Sequence, residues 1–97
     1  MKDNIAEQVL KYNKLWEETD KITIADNVER ILCTKRPECA AKWSTKVNVL
    51  AKMTESKPDA VYAWLNRSRG RVKVPFLKLC KIASELNVDV SDFLKNP

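Results

Sequence analysis

An all-α fold, a bundle of about five helices with an extra amphipathic helix at the N-terminus, is predicted by three observations. The 97 residues include one glycine and four prolines, too little turn punctuation for an all-β chain. Hydrophobic residues make up 44% and charged residues 32%, a balance that suits helices with one apolar and one solvated face. Apolar residues also recur at three- and four-residue spacings along most of the chain. At this length folding buries roughly 60 to 65% of the surface exposed by the unfolded chain, so one small core and no second independent domain is expected.

From Asn4 to Trp16 the residues Ile5, Val9, Tyr12 and Trp16 are spaced by four, three and four, with Leu10 and Leu15 flanking them. This predicts an amphipathic N-terminal segment over residues 1–22. Its apolar face packs either on its own domain, the default, or on a second subunit. The main domain then spans residues 23–97. Thr23, three residues before Asp26, reads as a capping-box start for a helix carrying Ile24, Val28, Ile31 and Leu32, which Pro37 should end. The following ECAAKW fits a loop or a helical turn equally well.

Ser44 or Thr45 is the expected cap of a helix containing Val47, Leu50 and Ala51 that ends near Met53 and Thr54. Ser56 is then expected to cap the next helix, with Pro58 in its first turn and Asp59 near the positive end of its dipole. That helix, about residues 57–67, turns Val61, Trp64 and Leu65 inward and Lys57, Asp59, Tyr62, Ala63 and Asn66 outward. The link NRSRGRVKV holds Gly70 and places Arg67, Arg69, Arg71 and Lys73 at alternate positions, hence on one face if it is extended. Pro75 opens a helix with Phe76, Leu79, Cys80, Ala83 and Leu86 as its stripe and Asn87 as a left-handed cap. Asp89 or Ser91 caps a last turn that holds Phe93 and Leu94.

Charge is segregated. Residues 1–29 carry four lysines against seven acids, residues 30–81 thirteen Lys/Arg against three acids, and residues 82–97 one lysine against three acids. A basic centre between acidic ends is the footprint of a polyanion-binding surface or, taken alone, of a solvated lysine-rich one. Three cysteines with no paired CxxC and no histidine argue against a disulfide framework or a zinc site and for a reduced, cytoplasmic setting. No apolar run suits a signal peptide or a membrane span. With no glycine-rich phosphate loop, no GKS/T and no carboxylate pair in an evident cleft, neither an enzyme nor a cofactor is expected.

Residues 45–94, two short helices, an arginine-rich connection and two closing helices, resemble the lambda-repressor-like (Cro and Xre type) family of bacterial and phage regulators. The resemblance runs from about Asn27 to Leu94. In the helix-turn-helix window, residues 47–66, Leu50, Ala51, Val61 and Trp64 match the family's buried sites, and KIASELNVDVSDFL is similar to its closing helices. The turn departs from the pattern. Thr54, Glu55 and Ser56 stand where the family usually has glycine and apolar neighbours, and a left-handed Glu55 costs about 1 kcal/mol relative to glycine, so a reshaped or longer turn is expected. The connection after the second helix is also longer than is common in the family.

The resemblance implies a sequence-specific binder of duplex DNA, a transcriptional repressor acting as a homodimer and nucleoid-associated when bound. Lys57, Asp59, Tyr62 and Ala63 would meet base edges in the major groove: Lys57 donating to guanine, Asp59 accepting from cytosine or merely capping, Tyr62 or Ala63 against a thymine methyl. Phosphate contacts would come from Lys46, Asn66, Arg67, Arg69, Arg71 and Lys73, Asn66 being equally well read as a cap. Ile5, Val9, Tyr12 and Trp16, or Phe93 and Leu94, are the apolar surfaces expected to be available for dimerisation. Trp43 and Trp64 are expected to be packing residues, and Cys80 core. The alternative is an antitoxin-like or inhibitor module that grips a protein partner through the N-terminal helix and keeps the helix-turn-helix as scaffold or autoregulator. Single-stranded RNA binding is a weaker third reading, since 7% aromatics leave few stacking platforms.

Overall fold

Among the described residues, only Asp20 and Asp89 fix a helix start with a side chain that satisfies terminal backbone N–H groups. The computed structural model describes the backbone of residues 5–66 and 72–95 and the side chains of 11–66 and 72–95. Those residues form six α-helices and a closing 3-10 turn, with no strand among them: α1 (Ile5–Glu18), α2 (Lys21–Lys35), α3 (Glu38–Ala41), α4 (Trp43–Thr54), α5 (Pro58–Leu65), α6 (Phe76–Leu86) and the turn Val90–Phe93. The all-α bundle is as expected.

Several starts differ from the expected ones. Asp20, not Thr23, caps α2: its Oδ1 accepts from the backbone N–H of Ile22 at 2.7 Å and of Thr23 at 2.9 Å, and the Thr23 hydroxyl donates to Oδ2 at 2.9 Å. A carboxylate accepts these bonds more strongly than a hydroxyl, so the aspartate three residues earlier takes the cap. The boundary at residue 22 therefore falls inside the first turn of α2. Neither Ser44 nor Thr45 caps α4, which begins at Trp43 after an extended Lys42 with no side-chain cap. Nor does Ser56 cap α5. The extended residue before that helix is Lys57, and the Ser56 hydroxyl donates back to the Thr54 carbonyl at 3.3 Å. Pro37 ends α2 as expected and itself leads into α3, whose Cys39 is buried.

Hydrogen bonds to Asp20, from the Thr23 N–H first and then its hydroxyl, hold the carboxyl below its ordinary value of 3.8. A lowered folded-state pKa contributes stability that is fully present above pH 3.8 and is lost as the pH falls through the lowered value. Thermal melts from pH 6 to pH 2 should accordingly show a smaller acid-side decline for Asp20→Asn than for the natural chain. Identical profiles would show that the ionised carboxylate adds nothing to the cap.

The core is built from Ile24, Val28 and Leu32 of α2, Val47 and Leu50 of α4, Val61 and Leu65 of α5, Leu79 and Ile82 of α6, and Phe93 of the closing turn. Phe93 (0% exposed) and Leu94 (5%) are thus interior residues and do not form the expected dimerisation surface. Asn27, also fully buried, donates from Nδ2 to the carbonyls of Phe93 at 2.9 Å and Lys95 at 2.7 Å, bolting the C-terminal turn to α2. Asp89 caps that turn by accepting from the Ser91 N–H at 3.0 Å.

α1 packs on its own domain over its C-terminal half. Tyr12 and Trp16 lie half-buried against the core, the Trp16 indole N–H donates to the Val74 carbonyl at 2.9 Å, and its ring sits 6.2 Å from Phe76. The side chains of Ile5, Val9 and Leu10 lie outside the described residues. Cys39 and Cys80 are buried thiols, pushed above their ordinary value by that burial, Cys80 to about 11, which makes them poor nucleophiles at neutral pH. No helix among the described residues is long and apolar enough to cross a membrane.

Candidate nucleic-acid interface

α4 and α5 meet because the residues between them are small or apolar where they touch. Leu50, Val61 and Trp64 are buried, and Ala51, 7% exposed, has no bulk to hold the helices apart. All four positions matched by sequence are therefore interior. Glu55 adopts φ 55°, ψ 40°, its N–H donates to the Lys52 carbonyl at 3.3 Å, and the Ser56 N–H donates to the Ala51 carbonyl at 2.9 Å. This is the Schellman closure, which glycine usually makes.

α6 reaches the turn through two lysines. Lys78 Nζ donates to the Thr54 carbonyl at 2.8 Å, and Lys81 Nζ stands 3.6 Å from Glu55 Oε1. The second pair is largely solvated and contributes little. The first satisfies a carbonyl that the helix end leaves open. Thr54 itself is buried, and its hydroxyl donates to the Leu50 carbonyl at 2.7 Å.

α5 is shorter than expected, ending at Leu65, with Asn66 extended and its N–H donated to the Tyr62 carbonyl at 2.8 Å. The cap reading of Asn66 thus has a backbone basis. Lys57, Asp59 and Tyr62 are exposed, and Ala63 and Asn66 are half-buried, so the base-reading candidates share the outer side of α5. The connection returns to this helix, the Val72 N–H donating to the Ala63 carbonyl at 2.7 Å.

The phosphate candidates divide differently. Arg67, Arg69 and Arg71 lie outside the described residues. Lys73 lies against α1, its ammonium 4.3 Å from the Trp16 ring and donating to the Glu17 carbonyl at 3.3 Å. Lys46 pairs with Glu29 at 3.5 Å, with only 14% and 18% of the two side chains exposed, and stands 5.1 Å from the Trp43 ring. Both lysines have partners inside the molecule that chain-local charge patterning could not reveal.

Trp43 does not pack as its helical spacing predicts. It was expected to be packing, yet it is 40% exposed, with its ring 5.9 Å from that of Tyr62, itself 38% exposed. A helical side chain covers the turn preceding its own Cα, and a residue at the first position of a helix has no such turn. Trp64, 4% exposed, is core as expected.

No group of histidine, cysteine or carboxylate side chains able to hold a metal occurs among the described residues. A groove of about 640 Å³ between α2 and the closing turn is lined by none of the sequence-predicted site residues. Compared with known proteins, the chain matches no family model, no curated protein and no solved structure.

Proposed function

We propose that the chain is a sequence-specific duplex-DNA-binding transcriptional regulator of the lambda-repressor-like kind, a repressor working as a homodimer. The observation that carries this reading is the α4–α5 unit: two short helices closed by a left-handed residue, locked through Leu50, Ala51, Val61 and Trp64, with Asp59 and Tyr62 exposed on the second and Lys57 exposed just before it. A helix held this way presents a rigid row of polar and aromatic groups, which is what reading base edges in a major groove needs. The excess of cations between residues 30 and 81 supports a polyanionic partner. One such unit makes few contacts, so pairing of half-sites by a dimer is part of the proposal.

The competing reading, a protein-interaction module gripping its partner through α1, is weakened by the packing of Tyr12 and Trp16 against the chain's own core. Selection from random duplex DNA, with mass measured in solution, tests the regulator. A palindromic motif and a dimeric mass are expected, and the absence of any enriched sequence would overturn it.

Affinity in this reading comes from the arginine link. Replacing Arg69 and Arg71 with alanine should weaken binding to all duplexes alike and flatten the dependence of log affinity on log salt by about 1 to 2 units, near the 0.9 per neutralised phosphate of duplex DNA. An unchanged slope would remove both residues from the backbone contact.

A further inference from the structure

We infer that Trp43 and Tyr62 form one aromatic surface that reads the 5-methyl group of thymine, so that sequence is read by both helices of the unit and not by α5 alone. This rests on the duplex-DNA reading above. The two rings come from different helices, lie 5.9 Å apart at an interplanar angle of 44°, and each remains about two-fifths exposed. The other two tryptophans are committed elsewhere, Trp64 to the core and Trp16 to Val74 and Phe76. Two large aromatics left side by side at a surface, each still about two-fifths exposed, mark a contact area.

Lys46 gives the pair a fixed position. Its ammonium lies 5.1 Å from the centre of the Trp43 ring while Glu29 holds it at 3.5 Å, and both charged side chains are largely withdrawn from solvent. An anchored cation beside an indole restrains the ring by cation–π attraction. Lys46 is in this account a positioning residue rather than a phosphate contact.

The ligand follows from what a paired duplex presents. Base faces are stacked and closed to an aromatic ring, and every base edge in the major groove offers donors or acceptors, to which thymine alone adds an apolar C5-methyl group beside its O4. An aromatic pair beside Tyr62, on the outer side of α5, matches that methyl by excluding water from it. Asp59, one helical turn before Tyr62, remains available for a polar neighbour.

The test uses duplexes carrying the selected motif in which each thymine in turn is replaced by uracil, a change that removes only the methyl. At one position per half-site, uracil should weaken binding by the natural chain about fourfold, the scale of one buried carbon group. Trp43→Ala should bind the thymine and uracil duplexes alike while its affinity for unrelated DNA stays within about twofold, as expected if no phosphate contact is lost. Trp43→Phe, which keeps a ring, should retain part of the discrimination but lose the DNA-dependent change in tryptophan fluorescence that exposed Trp43 gives the natural chain. If the natural chain prefers a motif yet is indifferent to uracil throughout it, or if Trp43→Ala keeps the fourfold difference, the aromatic proposal is overturned and the regulator reading stands. If no motif is preferred at all, both fall.

Discussion

Replacing Phe93 with alanine is expected to lower the unfolding free energy by about 3 to 5 kcal/mol, a large share of the roughly 5 to 15 kcal/mol available to a small domain. Its side chain is wholly buried in the closing turn, next to Val90 and Leu94 in the same core. Removing the ring takes away apolar burial and leaves a void that a turn tied down on both sides cannot fill by collapse. Urea denaturation at low protein concentration measures the loss. A midpoint unchanged there, with the defect confined to the dimer mass, would return Phe93 to the interface role that its terminal position suggests.

Asn27→Leu should be the second most damaging of the substitutions considered, at about 2 to 4 kcal/mol, although leucine is close in size and more hydrophobic. The amide donates to the Phe93 and Lys95 carbonyls, and its Oδ1 accepts from Arg30 Nη2 at 3.1 Å. Leucine leaves these carbonyls without their donor, and an unsatisfied buried polar group costs more than the added apolar area returns. Denaturant titration gives the magnitude. Amide hydrogen exchange locates it, since protection should fall first in residues 90–94. A neutral or stabilising outcome would mean that the Asn27 bonds add nothing to the net stability.

The two substitutions probe the same joint from opposite sides, one through packing and one through hydrogen bonding. Because the residues touch the same segment, their effects should not add, and the double variant should lose less than the two single losses combined.

Much of the fold was legible along the chain. Ile24, Val28 and Leu32, and the stripe from Phe76 to Leu86, declare helices by spacing alone, and Asn87 takes the left-handed cap expected of it at φ 58°. Leu50, Ala51, Val61 and Trp64 were identifiable because a two-helix unit with a short turn constrains residues close in sequence. The support of the turn is not legible in the same way: Lys78, which donates to the Thr54 carbonyl, lies 24 residues away, so that contact is invisible in the segment itself.

The candidate interface was legible in part. The outward positions of α5 follow from its period, and Lys57, Asp59 and Tyr62 are exposed as expected. Trp43 was misassigned because periodicity reports which face of a helix a residue occupies but not whether another element covers it. Where a carboxylate or carbonyl comes to lie is not legible along the chain, so the partners of Lys46 and Lys73 are decided only when the helices pack.

What the sequence by itself determined is therefore the local order: helices, the left-handed cap at Asn87, the inward stripes and the basic centre between acidic ends. All are set by interactions among residues a few positions apart. What only the tertiary structure decided is the use of side chains across long separations, Lys73 on the Glu17 carbonyl 56 positions away and Asn27 on the Lys95 carbonyl 68 away. Those partners are chosen when the helices pack, because burial selects, from many possible contacts, the arrangement that leaves apolar area covered and buried polar groups paired.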